Sequence, residues 1–67
     1  NGIASASVMH RSTMFADAWA TALTVLGPED GADLACRMGL AARLVWVKDG
    51  AAVEWLSPEL ERMLDEI

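Results

Sequence analysis

The 67-residue chain has few of the residue types that often act in catalysis or metal binding, with one cysteine, one histidine and no tyrosine. A single cysteine excludes an internal disulfide and any multi-cysteine zinc site. The chain also lacks a glycine-rich phosphate loop and a nucleophile-elbow motif. The lone Cys36 is interpreted as a small helix residue packed against the core.

Basic residues are also few, with five Lys and Arg against ten Asp and Glu and a formal charge of −5. Because phosphate contacts need clustered Lys and Arg, this balance argues against nucleic acid and against membrane surfaces as partners. At 54% hydrophobic residues the chain is too apolar for a disordered tail. It is also rich in apolar residues for its size, so we expect residues 1–67 to form a single unit that is a fragment of a larger domain.

The first half of the chain predicts one strand and two helices. In residues 1–10, small polar residues alternate with apolar ones, Ser5 and Ser7 against Ala4, Ala6 and Val8, as in a half-buried strand. Ser12 or Thr13 can cap the first helix. The Gly27-Pro28 pair ends it, with the glycine in the left-handed conformation, and the proline begins the second helix.

The first helix has an unusual polar side. At about 100° per residue, its apolar side is predicted to pack in the core and consists of Phe15, Trp19, Ala22, Leu23 and Leu26. The other side carries Asp17, Thr21 and Thr24 rather than the Glu, Lys and Arg of an ordinary solvated surface. Ala18 and Ala20 flank these residues and leave the backbone approachable, so a ligand or partner can dock there.

The second half predicts a hairpin and a third helix. Asp49-Gly50 favours a two-residue type I′ turn between strands over 40–48 and 51–56. This turn sets the register and gathers a core face from Leu44, Trp46, Val53 and Trp55. A stacking platform for bases or sugars is the alternative reading of the two tryptophans. The second helix has an apolar stripe of Leu34, Ala35 and Met38. The third helix has an apolar stripe of Leu60, Met63, Leu64 and Ile67.

The order strand, helix, helix, strand, strand, helix predicts an α+β fold with a small, mostly antiparallel sheet and helices packed on one face. Unpaired strand edges and uncovered apolar surface favour a homo-oligomer of the fragment.

Asp17 and Thr21 form the one pattern in the sequence that suggests a metal-binding site. Their i,i+4 spacing places a carboxylate and a hydroxyl one above the other, and Mg²⁺ prefers such oxygen ligands. The same spacing occurs in ordinary helices, so a plain polar face is the alternative. His10, at the end of the predicted strand, is interpreted as a solvated loop residue, with a catalytic or ligand role as its alternative.

The sequence around Asp17 and Thr21 is more specific than their spacing alone. The chain resembles the C-terminal part of the ApbE family, the FAD:protein FMN transferases once described as thiamine biosynthesis lipoproteins. The most specific part is ADAWATALTVLGPE over residues 16–29, and the other matching features are Ser7-Val8, Gly31, Asp49-Gly50 and Ser57-Pro58. The resemblance covers nearly the whole chain.

This resemblance implies a Mg²⁺-dependent enzyme that splits FAD and links FMN through a phosphoester bond to a Thr or Ser of an acceptor flavoprotein in a bacterial redox complex. The family's metal-binding carboxylate and hydroxyl map to Asp17 and Thr21, with Asp17 also a catalytic proton relay. The implied location is periplasmic, with a lipid anchor to the inner membrane. His10 does not lie in the family's histidine motif, so that role is not transferred.

The family's histidine motif, its further metal ligand and most FAD contacts lie upstream of the segment that this chain resembles. The isolated fragment is therefore predicted to be inactive. The alternative function is a non-catalytic accessory or interaction module that associates through its apolar surface.

Overall fold

The computed structural model describes residues 2–66 and confirms the predicted α+β architecture. The elements are β1 (Ile3–Met9), α1 (Thr13–Leu26), α2 (Pro28–Met38), β2 (Ala41–Lys48), β3 (Ala51–Leu56) and α3 (Pro58–Asp65). The sheet has the order β1-β2-β3, and both strand pairs are antiparallel. Helix α1 contacts β1 and α2, and α3 contacts β2.

The boundaries of α1 follow local capping chemistry. The Ser12 hydroxyl accepts a hydrogen bond from the Phe15 N–H at 3.4 Å, so Ser12 is the N-cap. At the other end, Gly27 has φ 89° and ψ 176°, which differs from the expected left-handed helical conformation. This combination is essentially restricted to glycine, because a Cβ would clash with the backbone. The chain therefore turns directly from α1 into Pro28 and α2.

The β2–β3 hairpin has the predicted register. Lys48 pairs with Ala51, Trp46 with Val53 and Leu44 with Trp55. Asp49 and Gly50 both have positive φ, at 53° and 79°, as a type I′ turn requires.

An irregularity in β1 changes which side chains face the core. Ile3 pairs with Trp46 and Ser5 with Val45, so Ala4 is an extra residue in the ladder. Such a bulge reverses the alternation. Ala4 is exposed, whereas Ile3 packs against the core, which the simple alternation of the sequence did not predict.

The core is small and lies between the sheet and the helices α1 and α2. Its buried members are Leu23, Ala35, Leu40, Ala42 and Leu44, with Trp19, Trp46 and Trp55 partly buried against them. The position of Leu44, Trp46, Val53 and Trp55 on the inner face agrees with the hairpin register.

Several predicted core residues are exposed, and those predictions are wrong for the described residues. Phe15 is 56% exposed and Leu26 44%, although Leu23 on the same helix is completely buried. Met38, Leu64 and Cys36 are also exposed, and Ile67 lies outside the described residues. For Phe15 and Leu26 the reason is geometric: α1 buries only the side that meets β1 and α2, so the apolar side predicted from the helical period is too wide.

Two close contacts fix the helices. A Cβ built on Gly31 of α2 would lie 3.0 Å from the Leu23 carbonyl oxygen of α1, so glycine lets the two helices approach. The buried Ser57 hydroxyl accepts from the Ala42 and Leu60 N–H groups at 2.9 and 3.2 Å and donates to the Leu40 carbonyl at 2.6 Å. This one side chain caps α3 and holds it against β2.

Candidate functional site

The exposed polar side of α1 is the candidate site. Asp17, Thr21 and Thr24 are all exposed. The Thr21 hydroxyl donates to the Asp17 carbonyl oxygen at 3.0 Å, and the Thr24 hydroxyl donates to the Ala20 carbonyl at 2.8 Å. Because the hydroxyl proton is directed at the helix backbone, the lone pairs of Thr21 Oγ1 remain available to a ligand.

The Asp17 carboxylate carries a charge that no neighbouring cation neutralises within residues 2–66. The ion pairs in this part of the chain are Asp33–Arg37, Arg43–Glu54, Arg62–Glu59 and Arg62–Glu66. None of them involves Asp17. A carboxylate with free acceptor oxygens beside an available hydroxyl oxygen suits a hard cation.

The donor set fits part of a Mg²⁺ site rather than a whole one. Magnesium needs six oxygens in near-octahedral geometry, supplied by protein, water and phosphate. Across the described residues, no three His, Cys, Asp or Glu side chains come together in a way that could hold a metal. The α1 pair therefore supplies two oxygen ligands, and the remaining ligands must come from outside this pair.

The structure gives His10 a local role at the start of α1. Its Nδ1 accepts a hydrogen bond from the Ser12 N–H at 3.0 Å. Its ring lies 5.5 Å from the Phe15 ring, tilted by 56°. His10 is exposed, in agreement with its interpretation as a loop residue.

An open groove of about 1040 Å³ lies away from Asp17 and Thr21, between the α1–α2 corner and the end of the β2–β3 hairpin. Its apolar lining includes Leu26, Ala32, Trp46 and Val53. The hairpin register places Trp46 and Val53 on the core face, but the sequence pattern does not predict the groove. The alternation of residues along a strand shows which face of the sheet each residue occupies. How much of that face α2 covers, and therefore whether a groove remains, depends on tertiary packing.

No helix within residues 2–66 is both long and apolar enough to cross a bilayer.

Comparison with known proteins identifies the family. Residues 1–44 match the model of the ApbE family. The FAD:protein FMN transferases of Escherichia coli strain K12 and of Escherichia coli O157:H7 are each 33% identical over 64 residues, which are 96% of this chain and 18% of those proteins. The apo crystal structure of the Pseudomonas stutzeri flavinyl transferase ApbE matches with a TM-score of 0.88 and 38% identity over 91% of this chain and 19% of that chain.

The family-model match includes the whole of α1. The chain spans less than a fifth of the length of these relatives. On the match to the family model and the structural agreement together, this chain belongs to the ApbE family.

Proposed function

We propose that the full-length protein containing this segment is a Mg²⁺-dependent FAD:protein FMN transferase, with Asp17 and Thr21 as two of the metal ligands. The two relatives that are named as FAD:protein FMN transferases align with 96% of this chain at 33% identity. The observation that carries the residue assignment is the exposed carboxylate and hydroxyl one turn apart on α1, with no cation paired to Asp17 within residues 2–66.

The proposed reaction transfers the FMN phosphoryl group from FAD to an acceptor protein. The oxygen of an acceptor Thr or Ser hydroxyl forms a new bond to the FMN phosphorus, and the P–O bond to the AMP half breaks. The released AMP takes the bonding electrons, and the hydroxyl proton passes to the Asp17 carboxylate. When bound, magnesium would offset the charge on the pyrophosphate and make the attacking hydroxyl more acidic.

In this proposal Asp17 has two roles. It is the charged ligand of magnesium, and it accepts the proton of the attacking hydroxyl. Thr21 contributes a neutral oxygen from the next turn of α1. The acceptor is proposed to be a flavoprotein of a bacterial redox complex. The periplasmic, lipid-anchored location implied by the resemblance stays a prediction.

The isolated 67-residue chain is proposed to be inactive, because two ligands alone bind magnesium weakly. Incubation of this chain with FAD, Mg²⁺ and an acceptor protein should give no covalent flavin fluorescence on the acceptor. Flavin transfer by the chain alone would contradict the proposal.

The decisive experiment replaces Asp17 in the full-length protein. We expect Asp17→Ala to lower acceptor labelling by at least about 100-fold through loss of electrostatic stabilisation, with the unfolding midpoint unchanged because the side chain is exposed. Calorimetry should show weaker Mg²⁺ binding in the same variant.

The matched control is Asp65→Ala, since Asp65 is an exposed carboxylate on α3. It should retain both labelling and Mg²⁺ binding. Full activity in the Asp17→Ala variant, or an equal loss in both variants, would overturn the assignment.

A further inference from the structure

Gly31 lies at a close approach between α1 and α2. A Cβ built there would lie 3.0 Å from the Leu23 carbonyl oxygen and 3.6 Å from Ile3 Cδ1, so a side chain would displace its neighbours by a few tenths of an ångström. Gly31 and Leu23 are both buried. Gly31 is not among the glycines with positive φ in residues 2–66. Glycine is therefore needed at this position for space rather than for backbone conformation.

The backbone around this contact has little slack. Helix α1 ends at Leu26 and α2 begins at Pro28, so Gly27 is the only residue between them. The Gly27 N–H donates to the Leu23 carbonyl at 3.1 Å, and the Gly31 N–H donates to the Gly27 carbonyl at 2.7 Å. A single residue tied by two hydrogen bonds cannot absorb the displacement. An added side chain at position 31 must therefore move one helix relative to the other.

The same helix carries the candidate magnesium ligands. Leu23 lies on the buried side of α1, whereas Asp17 and Thr21 are exposed. At 1.5 Å per residue, Thr21 is about 3 Å and Asp17 about 9 Å from Leu23 along the helix axis. A packed helix transmits a shift over such a distance as a nearly rigid element. Displacement at Leu23 therefore moves both candidate ligands.

Magnesium is sensitive to displacements of this size. It demands near-ideal octahedral geometry, with oxygen ligands at about 2.0 to 2.1 Å. The ligands beyond Asp17 and Thr21 come from outside α1. A shift of α1 by a few tenths of an ångström therefore misplaces two ligands relative to the others and weakens binding.

We propose that Gly31 is a positioning residue for the magnesium site. Its lack of a side chain sets how closely α1 packs against α2, and so where Asp17 and Thr21 stand relative to the remaining ligands. This inference rests on the proposed magnesium site. A purely structural role for Gly31 would change the fraction of folded protein without changing the Mg²⁺ affinity of the folded molecules.

The test measures acceptor labelling by the full-length protein against Mg²⁺ concentration, well below the unfolding temperature. We expect Gly31→Ala to raise the Mg²⁺ concentration that gives half-maximal labelling by at least about 10-fold, the lower end of the loss caused by changing groups that orient metal ligands. Labelling at saturating Mg²⁺ should recover almost completely, because excess metal compensates for weaker binding. The half-maximal concentration does not depend on the fraction of folded protein.

The matched control is Gly39→Ala, the same change at the C-terminal end of the same helix. Gly39 has φ 66° and ψ 33°, so alanine is strained there and should also lower the melting temperature. Apart from its chain neighbours, nothing lies within 4 Å of a Cβ at this position. The half-maximal Mg²⁺ concentration should therefore stay unchanged.

Ile3→Val is a second probe of the same contact, for use if Gly31→Ala does not fold. It removes the methyl group that lies 3.6 Å from the Cβ position of Gly31 and leaves a gap there. Because α1 and α2 are then held less firmly, the half-maximal Mg²⁺ concentration should rise several-fold.

An unchanged Mg²⁺ dependence in Gly31→Ala, or in Ile3→Val where that variant replaces it, would overturn the proposal. An equal shift in Gly39→Ala would also overturn it, because the effect would then follow from destabilisation alone. Calorimetry on Asp17→Ala separates this inference from the one on which it rests. If Asp17→Ala weakens Mg²⁺ binding and Gly31→Ala does not, only the role of Gly31 fails. If Asp17→Ala binds Mg²⁺ normally, both proposals fail.

Discussion

The junction around Ser57 and the outward side of α1 use hydroxyl groups in opposite ways. The Ser57 hydroxyl is fully buried and makes three hydrogen bonds, to Ala42, Leu60 and Leu40. The Thr21 hydroxyl is exposed and makes one bond, to a carbonyl of its own helix. The first group has no capacity left for a ligand, whereas the second keeps its lone pairs free.

This difference separates residues that hold the fold from residues that can serve a function. Every buried side-chain polar atom of the described residues has a hydrogen-bond partner. On the polar side of α1, by contrast, the Asp17 carboxylate is exposed and has no cationic partner within residues 2–66, so we expect its removal to cost the fold little. Substitutions in the two regions should therefore affect different measurements.

The largest effect on stability is expected at Ser57. Ser57→Ala leaves two buried N–H groups and one carbonyl without their partner, so the free energy of unfolding should fall by about 3 kcal/mol. Urea unfolding followed by tryptophan fluorescence measures this loss. The matched control is Ser12→Ala, which removes the more exposed N-cap of α1 and should cost about 1 kcal/mol. Equal losses would contradict the distinction between the two caps.

The next effect concerns activity and is expected at Thr21. In the full-length protein, Thr21→Val should lower acceptor labelling by at least about 10-fold, because even the loss of a residue that only orients a metal ligand costs about 10- to 100-fold. The unfolding midpoint should not move. Thr24→Val is a close control, because Thr24 is also exposed and also donates to a backbone carbonyl one turn back. The same loss of labelling in both variants would show that Thr21 has no special role.

A smaller effect is expected on the inner side of the helix pair. Gly31→Ala gains about 1 kcal/mol in helix propensity, but its Cβ meets the Leu23 carbonyl oxygen, which is already bonded to the Gly27 N–H at 3.1 Å. Because this backbone oxygen cannot move freely, we expect a net loss of about 1 kcal/mol from overpacking. Thermal unfolding measures the sign, and a more stable variant would show that the two helices can separate at little cost.

The smallest effect is expected on the surface of α3. The hydrogen bond from Arg62 to Glu59, and then the charges of Glu59 and Glu66, raise the pKa of the Arg62 guanidinium. Its charge is therefore present at any working pH. Since the Arg62 and Glu66 side chains are exposed and Glu59 is only half-buried, Arg62→Ala should lower the melting temperature only slightly, and the difference should vanish in 1 M salt. A large loss that persists in salt would show a packing role instead.

The sequence predicted the elements well because their ends depend on local chemistry. Ser12, Pro28 and Ser57 begin helices as capping preferences indicate. Asp49-Gly50 sets the hairpin register through backbone conformation alone. The polar side of α1 was also identified, because Asp17, Thr21 and Thr24 recur at helical spacing and the structure exposes all three.

Burial was less predictable, because it depends on which elements meet. Phe15 and Leu26 look like core residues from the helical period, yet α1 meets β1 and α2 on only one side. A one-residue bulge at Ala4 moves Ile3 to the core face, and no single-residue preference signals it.

The sequence by itself determined the order of the elements, the turn types and the spacing of Asp17 and Thr21, because hydrogen bonds and steric limits within a few residues control these features. Only the tertiary structure decided that Ser57 is a buried cross-link, that Gly31 admits a close helix contact and that one apolar side of α1 is uncovered. These features depend on segments distant in the sequence, since burial is a property of the neighbours that a side chain meets.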